Sequence, residues 1–346
     1  MRRSVLPVAL AAVVVAVVAG AVSAFLASGS SDRTDATVAP SALPAADIVF
    51  TRHLMKPDRS DLYVIAVDGS HLRLLVRNAA HAAVTRDGRR IAFVRGGGIW
   101  IMERDGTRQR RLMLPGTQPR IKGERPVVSA SDPAWSPTGR TLFFLRQERY
   151  TMGVLFSIFS IRDDGTHLVR LAGGGGGRYG GLVGDPSPSP DGQVIAFSGM
   201  YDTDHGGEGA IFAVSLAGEA ETLRLTFPGE YEDVSSHPTW SPDRRRMAYA
   251  FEDVQFYGVP GPDPSGLYVS RPDGSPQRLP VGDSWLGGDP AWSPDGDWIT
   301  FDGDDGTSEE TYSGDVWLVR PDGTGLRQLT RTAADDGDAA WVPRAA

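Results

Sequence analysis

The sequence predicts an all-β fold, a six-bladed β-propeller, and three observations lead to this prediction. A segment such as GDPAWSPDGDWITFDG, which starts at Gly288, returns several times along the chain. The copies are about 50 residues apart, a period typical of propeller blades rather than helical solenoids. The chain also holds 42 Gly and 25 Pro among 346 residues, which favours short strands and tight turns over long helices.

Each repeat unit is predicted to form four antiparallel strands, A to D. The equivalent position on strand A is occupied in turn by Val84, Trp135, Pro188, Trp240, Trp292 and Trp341. We expect these residues to pack between blades near the propeller axis. Between strands C and D stands an Asp-Gly pair, a strong signal for a tight hairpin turn, at Asp68-Gly69, Asp105-Gly106, Asp164-Gly165, Asp273-Gly274 and Asp322-Gly323.

Ring closure is predicted from the two ends of the repeat region. The first unit begins at strand B, near Asp47, and the sixth copy of strand A is the C-terminal DAAWVP. The C-terminal strand is therefore expected to complete the first blade. Closure of this kind removes the open sheet edges.

The N-terminus is a hydrophobic segment that precedes the propeller. Two arginines are followed by an uncharged run from Ser4 to Gly29. Residues 1–27 are either a signal peptide cleaved near Ala24 or an uncleaved membrane anchor, and both remain open. Either one places the protein outside the cytoplasm, with membrane contact only through this segment. Residues 28–46 are predicted to be a flexible linker, and residues 47–346 the propeller.

Composition narrows the possible functions. The formal net charge of −8 argues against nucleic acid as a partner, and the absence of cysteine excludes disulfides and thiolate chemistry. The chain contains neither a G-x-S-x-G nor an H-E-x-x-H pattern. From these observations we expect a monomer that is not an enzyme and has no cofactor.

The repeat resembles that of a known family. The pattern DPAWSPDGxxIxF…IxxxxxDGxxxxLT is similar to the blade repeat of the TolB-like propellers, relatives of the WD-repeat class, from about Asp47 to Ala346. Arg244 replaces the turn glycine, Pro188 replaces the tryptophan, and the second blade lacks Trp-Ser-Pro. Our leading interpretation is an exported, non-catalytic propeller that binds a protein or cell-envelope partner through its loops. Some members of the family are lyases that act on uronate oligosaccharides, so a metal-dependent carbohydrate-active enzyme using the channel is the alternative.

One end of the propeller is predicted to carry the function. The long loops fall between strands B and C and between D and A, which share one face, the top. The residues that open strand A would also lie there, around the channel: His81, Asp132, Asp185, His237, Asp289 and Asp338. Such a group could hold a cation such as Ca²⁺ or Mn²⁺, or a cationic group of a partner. Alternatively, each Asp only caps its strand by accepting hydrogen bonds from nearby backbone amides.

The top-face loops supply a second set of candidates. Exposed aromatic and polar side chains in these loops would suit partner contacts. The candidates are Tyr179, Tyr201, Asp202, His205, Phe256, Tyr257 and Tyr312.

Overall fold

The computed structural model describes residues 43–113, 126–151, 153–173, 183–203, 206–217, 222–225, 234–252, 265–270, 275–281, 288–304 and 314–344. These residues form β-strands and no helix, and so contain no helix able to cross a membrane. The all-β prediction is confirmed. The predicted hydrophobic segment and nearly all of the linker lie outside the described residues.

The first three sets of strands come from the N-terminal half of the chain, together with one strand from the C-terminus. The first set is β1 (Ala46–Met55), β2 (Asp58–Ala66), β3 (Arg73–Val76) and the C-terminal β24 (Asp335–Pro343). The second set is β4 (Ala80–Val84), β5 (Arg90–Arg95), β6 (Gly98–Glu103) and β7 (Arg110–Arg111). The third set is β8 (Val127–Trp135), β9 (Thr141–Tyr150), β10 (Gly153–Arg162) and β11 (Val169–Gly173).

The other three sets follow in order along the chain. The fourth set is β12 (Val183–Pro188), β13 (Val194–Thr203), β14 (Gly206–Ser215) and β15 (Thr222–Arg224). The fifth set is β16 (Val234–Trp240), β17 (Met247–Glu252), β18 (Gly266–Ser270) and β19 (Pro276–Arg278). The sixth set is β20 (Gly288–Trp292), β21 (Ile299–Gly303), β22 (Asp315–Val319) and β23 (Arg327–Gln328).

Strands within a set pair in antiparallel fashion with their neighbours. The first set has the order β24-β1-β2-β3, so the C-terminal strand pairs with the first strand of the chain, Ala46 opposite Pro343. The fourth and fifth sets form one eight-stranded sheet, because a parallel pair between Gly209 and Val234 connects them. The other sets are separate four-stranded sheets.

The hydrophobic core lies between consecutive sets. Each hydrophobic cluster draws its side chains from two neighbouring sets, and one of them joins the sixth set to the first. The largest buried side chains recur at the same position of the second strand and are Phe50, Phe93, Phe144, Phe197 and Phe301. Burying one phenylalanine side chain contributes about 2 kcal/mol to the free energy of unfolding. These five phenylalanines are therefore a major part of what holds neighbouring sets together.

The innermost strands of the sets contact one another in the order β4, β8, β12, β16, β20 and β24, and β24 contacts β4. Their tryptophans reach across these contacts. The indole Nε1 of Trp135 donates to the Ala83 carbonyl 3.2 Å away, and Trp341 donates to Ala291 at 2.9 Å. Trp240 and Trp292 make the same bond to the preceding set. The predicted packing of these tryptophans between units is what the structure has.

Candidate functional site

The six residues predicted to surround the channel share an unusual backbone conformation. Each has a positive φ, between 42° for Asp289 and 52° for His237. Five of them lie where the pairing of the innermost strand with its neighbour shifts register, as in a β-bulge, and Asp338 lies at the corresponding shift between β24 and β1. We call His81, Asp132, Asp185, His237, Asp289 and Asp338 the channel ring.

This conformation explains part of the residue choice. Asp and His enter the left-handed region several-fold more often than most residues with a β-carbon. The bulge also corrects the prediction that these residues open their strands. Asp132 lies well inside β8, which begins at Val127, because the bulge interrupts the pairing without ending the strand.

The channel ring lines a cavity of about 320 Å³. Within it, each histidine stands between two aspartates. Nδ1 of His81 is 3.1 Å from Asp132 Oδ1 and 3.6 Å from Asp338 Oδ2. Nε2 of His237 is 3.2 Å from Asp289 Oδ1 and 3.6 Å from Asp185 Oδ1. The ring therefore consists of two carboxylate–imidazole–carboxylate groups.

The carboxylates hold both imidazoles in the charged form. Burial lowers the pKa of His81, but the charges of Asp338 and Asp132 outweigh burial and raise that pKa to about 10. The pKa of His237 is raised in the same way, with burial opposed by Asp289 and Asp185. Four carboxylates therefore face two imidazolium groups, and the fully ionised ring keeps two negative charges.

Ionisation is unfavourable at Asp289. Burial raises the pKa of Asp289 well above its ordinary value, and His237 offsets this only in part. Asp132 differs: burial raises its pKa, but its hydrogen bond to His81 and the charge of that imidazolium, with smaller help from Ser131 and His237, together outweigh burial and lower the pKa. One side of the ring is thus better compensated than the other.

Asp302 is an additional acidic residue that the sequence analysis missed. It lies on β21 opposite Gly288, where a β-carbon added to Gly288 would be 3.1 Å from Asp302 Oδ2. Its Oδ1 is buried and has no hydrogen-bond partner. Burial and the charge of Asp338 raise the pKa of Asp302 to about 7. The only sequence signal for it is that the equivalent positions hold Thr51 and Ser198, which are also polar.

Thr51 and Ser198 support the two histidines. The backbone N–H of His81 donates to Thr51 Oγ1 at 3.0 Å, and that of His237 donates to Ser198 Oγ at 3.1 Å. Ser198 in turn donates to Asp185 Oδ2 at 2.5 Å. The capping alternative expected each Asp to accept hydrogen bonds from nearby backbone amides. The amide that Asp185 accepts from is instead that of His237 in the next set, at 3.4 Å.

Two other predictions concern a metal site and the loops of the top face. Among the described residues, no group of three or more His, Asp or Glu side chains could hold a metal ion. Tyr201 and Asp202 were predicted to lie in a loop, but they belong to β13 and pair with Glu208 and Gly207. The β13–β14 register continues unbroken from Val194 to Thr203, which makes this segment an extended hairpin. The other loop candidates, Tyr179, His205, Phe256, Tyr257 and Tyr312, lie outside the described residues.

Comparisons with known proteins identify the fold. No family model and no curated protein sequence matches the chain. Among solved structures, "putative TolB" from Agrobacterium tumefaciens is similar, with TM-score 0.60 and 15% identity over 87% of this chain and 98% of that one. An oligogalacturonate lyase from Vibrio parahaemolyticus has TM-score 0.53 and 12% identity over 83% of this chain and 80% of that one. A puromycin hydrolase has TM-score 0.54 and 15% identity over 84% of this chain, which spans 46% of the hydrolase.

The chain thus has the TolB-like β-propeller fold that the repeat indicated. The prediction that the chain is not an enzyme is wrong. It was inferred from the fold and from two missing motifs, but the same fold occurs in a lyase and in a hydrolase. The missing G-x-S-x-G and H-E-x-x-H patterns exclude two kinds of site and leave other chemistries open.

Proposed function

We propose that the protein binds a cationic group of a protein or cell-envelope partner in the cavity lined by the channel ring. The observation that carries this proposal is the excess of carboxylates over imidazoles around that cavity. A partly buried excess of negative charge is relieved by protonation or by a bound cation. A ligand that carries positive charge can act as that bound cation, and its binding is favoured because it relieves the repulsion among the carboxylates.

An organic cation suits the ring better than a bare metal ion. Ca²⁺ needs six or more oxygen ligands close together, and Mn²⁺ needs an octahedral set of ligands. In the ring, His81 and His237 each separate two of the carboxylates. A guanidinium or ammonium group needs only one or two carboxylates, and it can donate several hydrogen bonds to them.

The scaffold of this proposal is a closed ring of six blades outside the cytoplasm. Pairing of β24 with β1, and contact of β24 with β4, support closure. The arginine-flanked apolar run of residues 4–29 supports export, by an anchor or by a cleaved signal peptide. A rigid closed ring would hold the six side chains in place without help from a ligand.

The second candidate function is a metal-dependent, lyase-like enzyme that acts on carbohydrates in the channel. It is favoured by the fold shared with the oligogalacturonate lyase and by imidazoles that lie within hydrogen-bond reach of carboxylates. An acidic channel disfavours a polyanionic substrate. Release of unsaturated product from oligogalacturonate, with Ca²⁺ or Mn²⁺ present, is the direct test of this candidate.

Calorimetry on chelator-treated protein tests the binding proposal. The probe is the blocked tripeptide Gly-Arg-Gly, with Gly-Glu-Gly as the opposite charge and with Ca²⁺ and Mn²⁺ as metal probes. We expect the arginine peptide to bind, and to bind more weakly at higher salt. In the double variant Asp185→Asn/Asp289→Asn its affinity should fall at least about tenfold, because each lost ionic hydrogen bond is worth about 1.5 kcal/mol or more.

A matched control removes two carboxylates elsewhere. The variant Asp68→Asn/Asp105→Asn keeps turn residues suited to their Asp-Gly hairpins and leaves the ring intact. It should bind the arginine peptide like the unaltered protein. Equal loss in both double variants would show that only net charge is sensed, and metal binding without peptide binding would favour the second candidate.

A further inference from the structure

An arginine recurs at the same place in the first three sets, two residues after the buried phenylalanine of the second strand. These are Arg52, Arg95 and Arg146. Each guanidinium lies over an aromatic ring: Arg52 over Tyr63 at 4.6 Å, Arg95 over Phe93 at 5.0 Å and Arg146 over Phe159 at 5.0 Å. The three positions therefore provide an internal comparison.

Two of these arginines have a carboxylate partner. Arg52 donates from Nε and Nη2 to the two oxygens of the buried Asp336, at 2.6 and 2.7 Å. Arg146 Nη2 lies 2.9 Å from Glu148 Oε1. At this position the fold thus pairs a partly buried guanidinium with a carboxylate, as the cost of burying an unpaired charge demands.

Arg95 has no such partner. Its Nη1 donates to the amide oxygen of Gln109 at 2.8 Å and its Nη2 to the Arg77 carbonyl at 3.1 Å. Its Nε is buried without a hydrogen-bond partner. Within the described part of the chain no carboxylate forms an ion pair with Arg95. Burial accordingly lowers the pKa of Arg95, whereas the hydrogen bond to Asp336 raises the pKa of Arg52.

The surroundings of Arg95 are also basic. Arg111 extends over the other ring that Arg95 contacts, Trp100, at 5.9 Å, and Arg77 contributes the carbonyl just described. Arg77 and Arg111 are exposed. Three arginines, Arg77, Arg95 and Arg111, thus lie together where the first two sets meet, in a protein whose net charge is −8.

We propose that this arginine cluster binds an acidic segment of a partner protein, one of whose carboxylates pairs with Arg95 while its neighbours contact Arg77 and Arg111. The ligand is assigned as a carboxylate because carboxylates serve the equivalent arginines in the first and third sets. A segment with several acidic side chains fits better than a small acid, because the three arginines come from different strands: Arg77 follows β3, Arg95 ends β5 and Arg111 ends β7. This site is separate from the channel ring and does not rest on the function proposed for it.

The test measures binding of a blocked Glu-Glu-Glu tripeptide to the full chain, with glutarate and inorganic phosphate as small anions. We expect the peptide to bind, and the variants Arg95→Met and Arg77→Gln/Arg111→Gln each to weaken binding at least about tenfold. The double variant changes only exposed side chains, so it tests the site even if Arg95→Met fails to fold. The control Arg86→Gln removes an exposed arginine of the neighbouring turn and should leave affinity unchanged.

Several outcomes would overturn the proposal. These are absence of peptide binding, affinity for glutarate or phosphate equal to that for the peptide, and equal weakening by Arg86→Gln. Thermal melting gives an independent readout. Arg95→Met should not lower the melting temperature, since it removes a partly buried charge that has no carboxylate partner among the described residues, whereas Arg52→Met should lower it because the buried Asp336 loses its partner. A similar fall in both variants would show that Arg95 already has its partner within the protein.

Discussion

Replacing Asp302 by Asn should stabilise the protein at high pH and have little effect at low pH. The substitution keeps the size of the side chain and removes a carboxylate whose Oδ1 is buried and unpartnered beside the channel ring. Burial and the charge of Asp338 raise its pKa from 3.8 to about 7. The folded protein therefore favours the protonated form, which the uncharged Asn resembles.

The sign and size of the effect follow from this shift. A carboxyl with a raised pKa contributes its stability below about pH 4 and loses it as the pH rises through 7. A shift of about three units corresponds to about 4 kcal/mol, and the coupled titration of Asp289 reduces the expected gain at pH 8 to about 2–4 kcal/mol. For a propeller of about 300 residues that gain raises Tm by about 3–6 °C.

The assay is chemical denaturation of the protein and the variant at several pH values between 4 and 8. The stability difference should be near zero at pH 4 and grow to its full value at pH 8. Asp297→Asn removes an exposed carboxylate from the same set and should not reproduce this growth. A constant difference across the range, or a variant less stable at pH 8, would refute the assignment of Asp302 as an uncompensated buried acid.

Three further predictions concern the scaffold. Trp341→Ala should lower the free energy of unfolding by about 3–5 kcal/mol, because Trp341 is 6% exposed and donates a hydrogen bond to Ala291 of the sixth set. An unchanged midpoint of denaturant unfolding would mean that the C-terminal strand does not close the ring. Asp336→Ala should cost about 3–5 kcal/mol, since it leaves Arg52 buried without its partner, and a loss below 1 kcal/mol would contradict this. Arg244→Gly should raise stability by about 1 kcal/mol, because Arg244 has φ of 66° at a turn position where four other units have Gly. A fall in Tm would show that the ion pair of Arg244 with Asp191 outweighs the strain.

The repeat made the fold predictable. Equivalent positions such as Trp135 and Trp292 are readable from sequence because each unit must present the same apolar side chain to the unit before it. The Asp-Gly turns likewise need positive φ, for which Gly69 and Gly106 have φ of 89° and 87°. The extended β13–β14 hairpin was not predictable, because its Gly-rich and acidic sequence is typical of a loop, while pairing of its two strands depends on backbone hydrogen bonds.

The site was predictable as a set of residues but not as a geometry. The repeat placed His81 and Asp338 around one channel. It did not reveal that each imidazole lies between two carboxylates, or that all six residues are in the left-handed conformation. Asp302 was missed because it comes from a different strand, and an acidic residue there has no counterpart in the other units.

The most direct test of the central claim observes the two ring histidines while a cation binds. In ¹⁵N NMR spectra, with the signals assigned through His81→Asn and His237→Asn, the account predicts that His81 is protonated at pH 8. Adding the blocked Gly-Arg-Gly peptide should shift both histidine signals and lower the pKa of His81, because the guanidinium takes over part of the carboxylate charge that raises it. A neutral His81 at pH 8, or ring signals that a saturating peptide leaves unmoved, would contradict the claim that the channel ring is a cation-binding site.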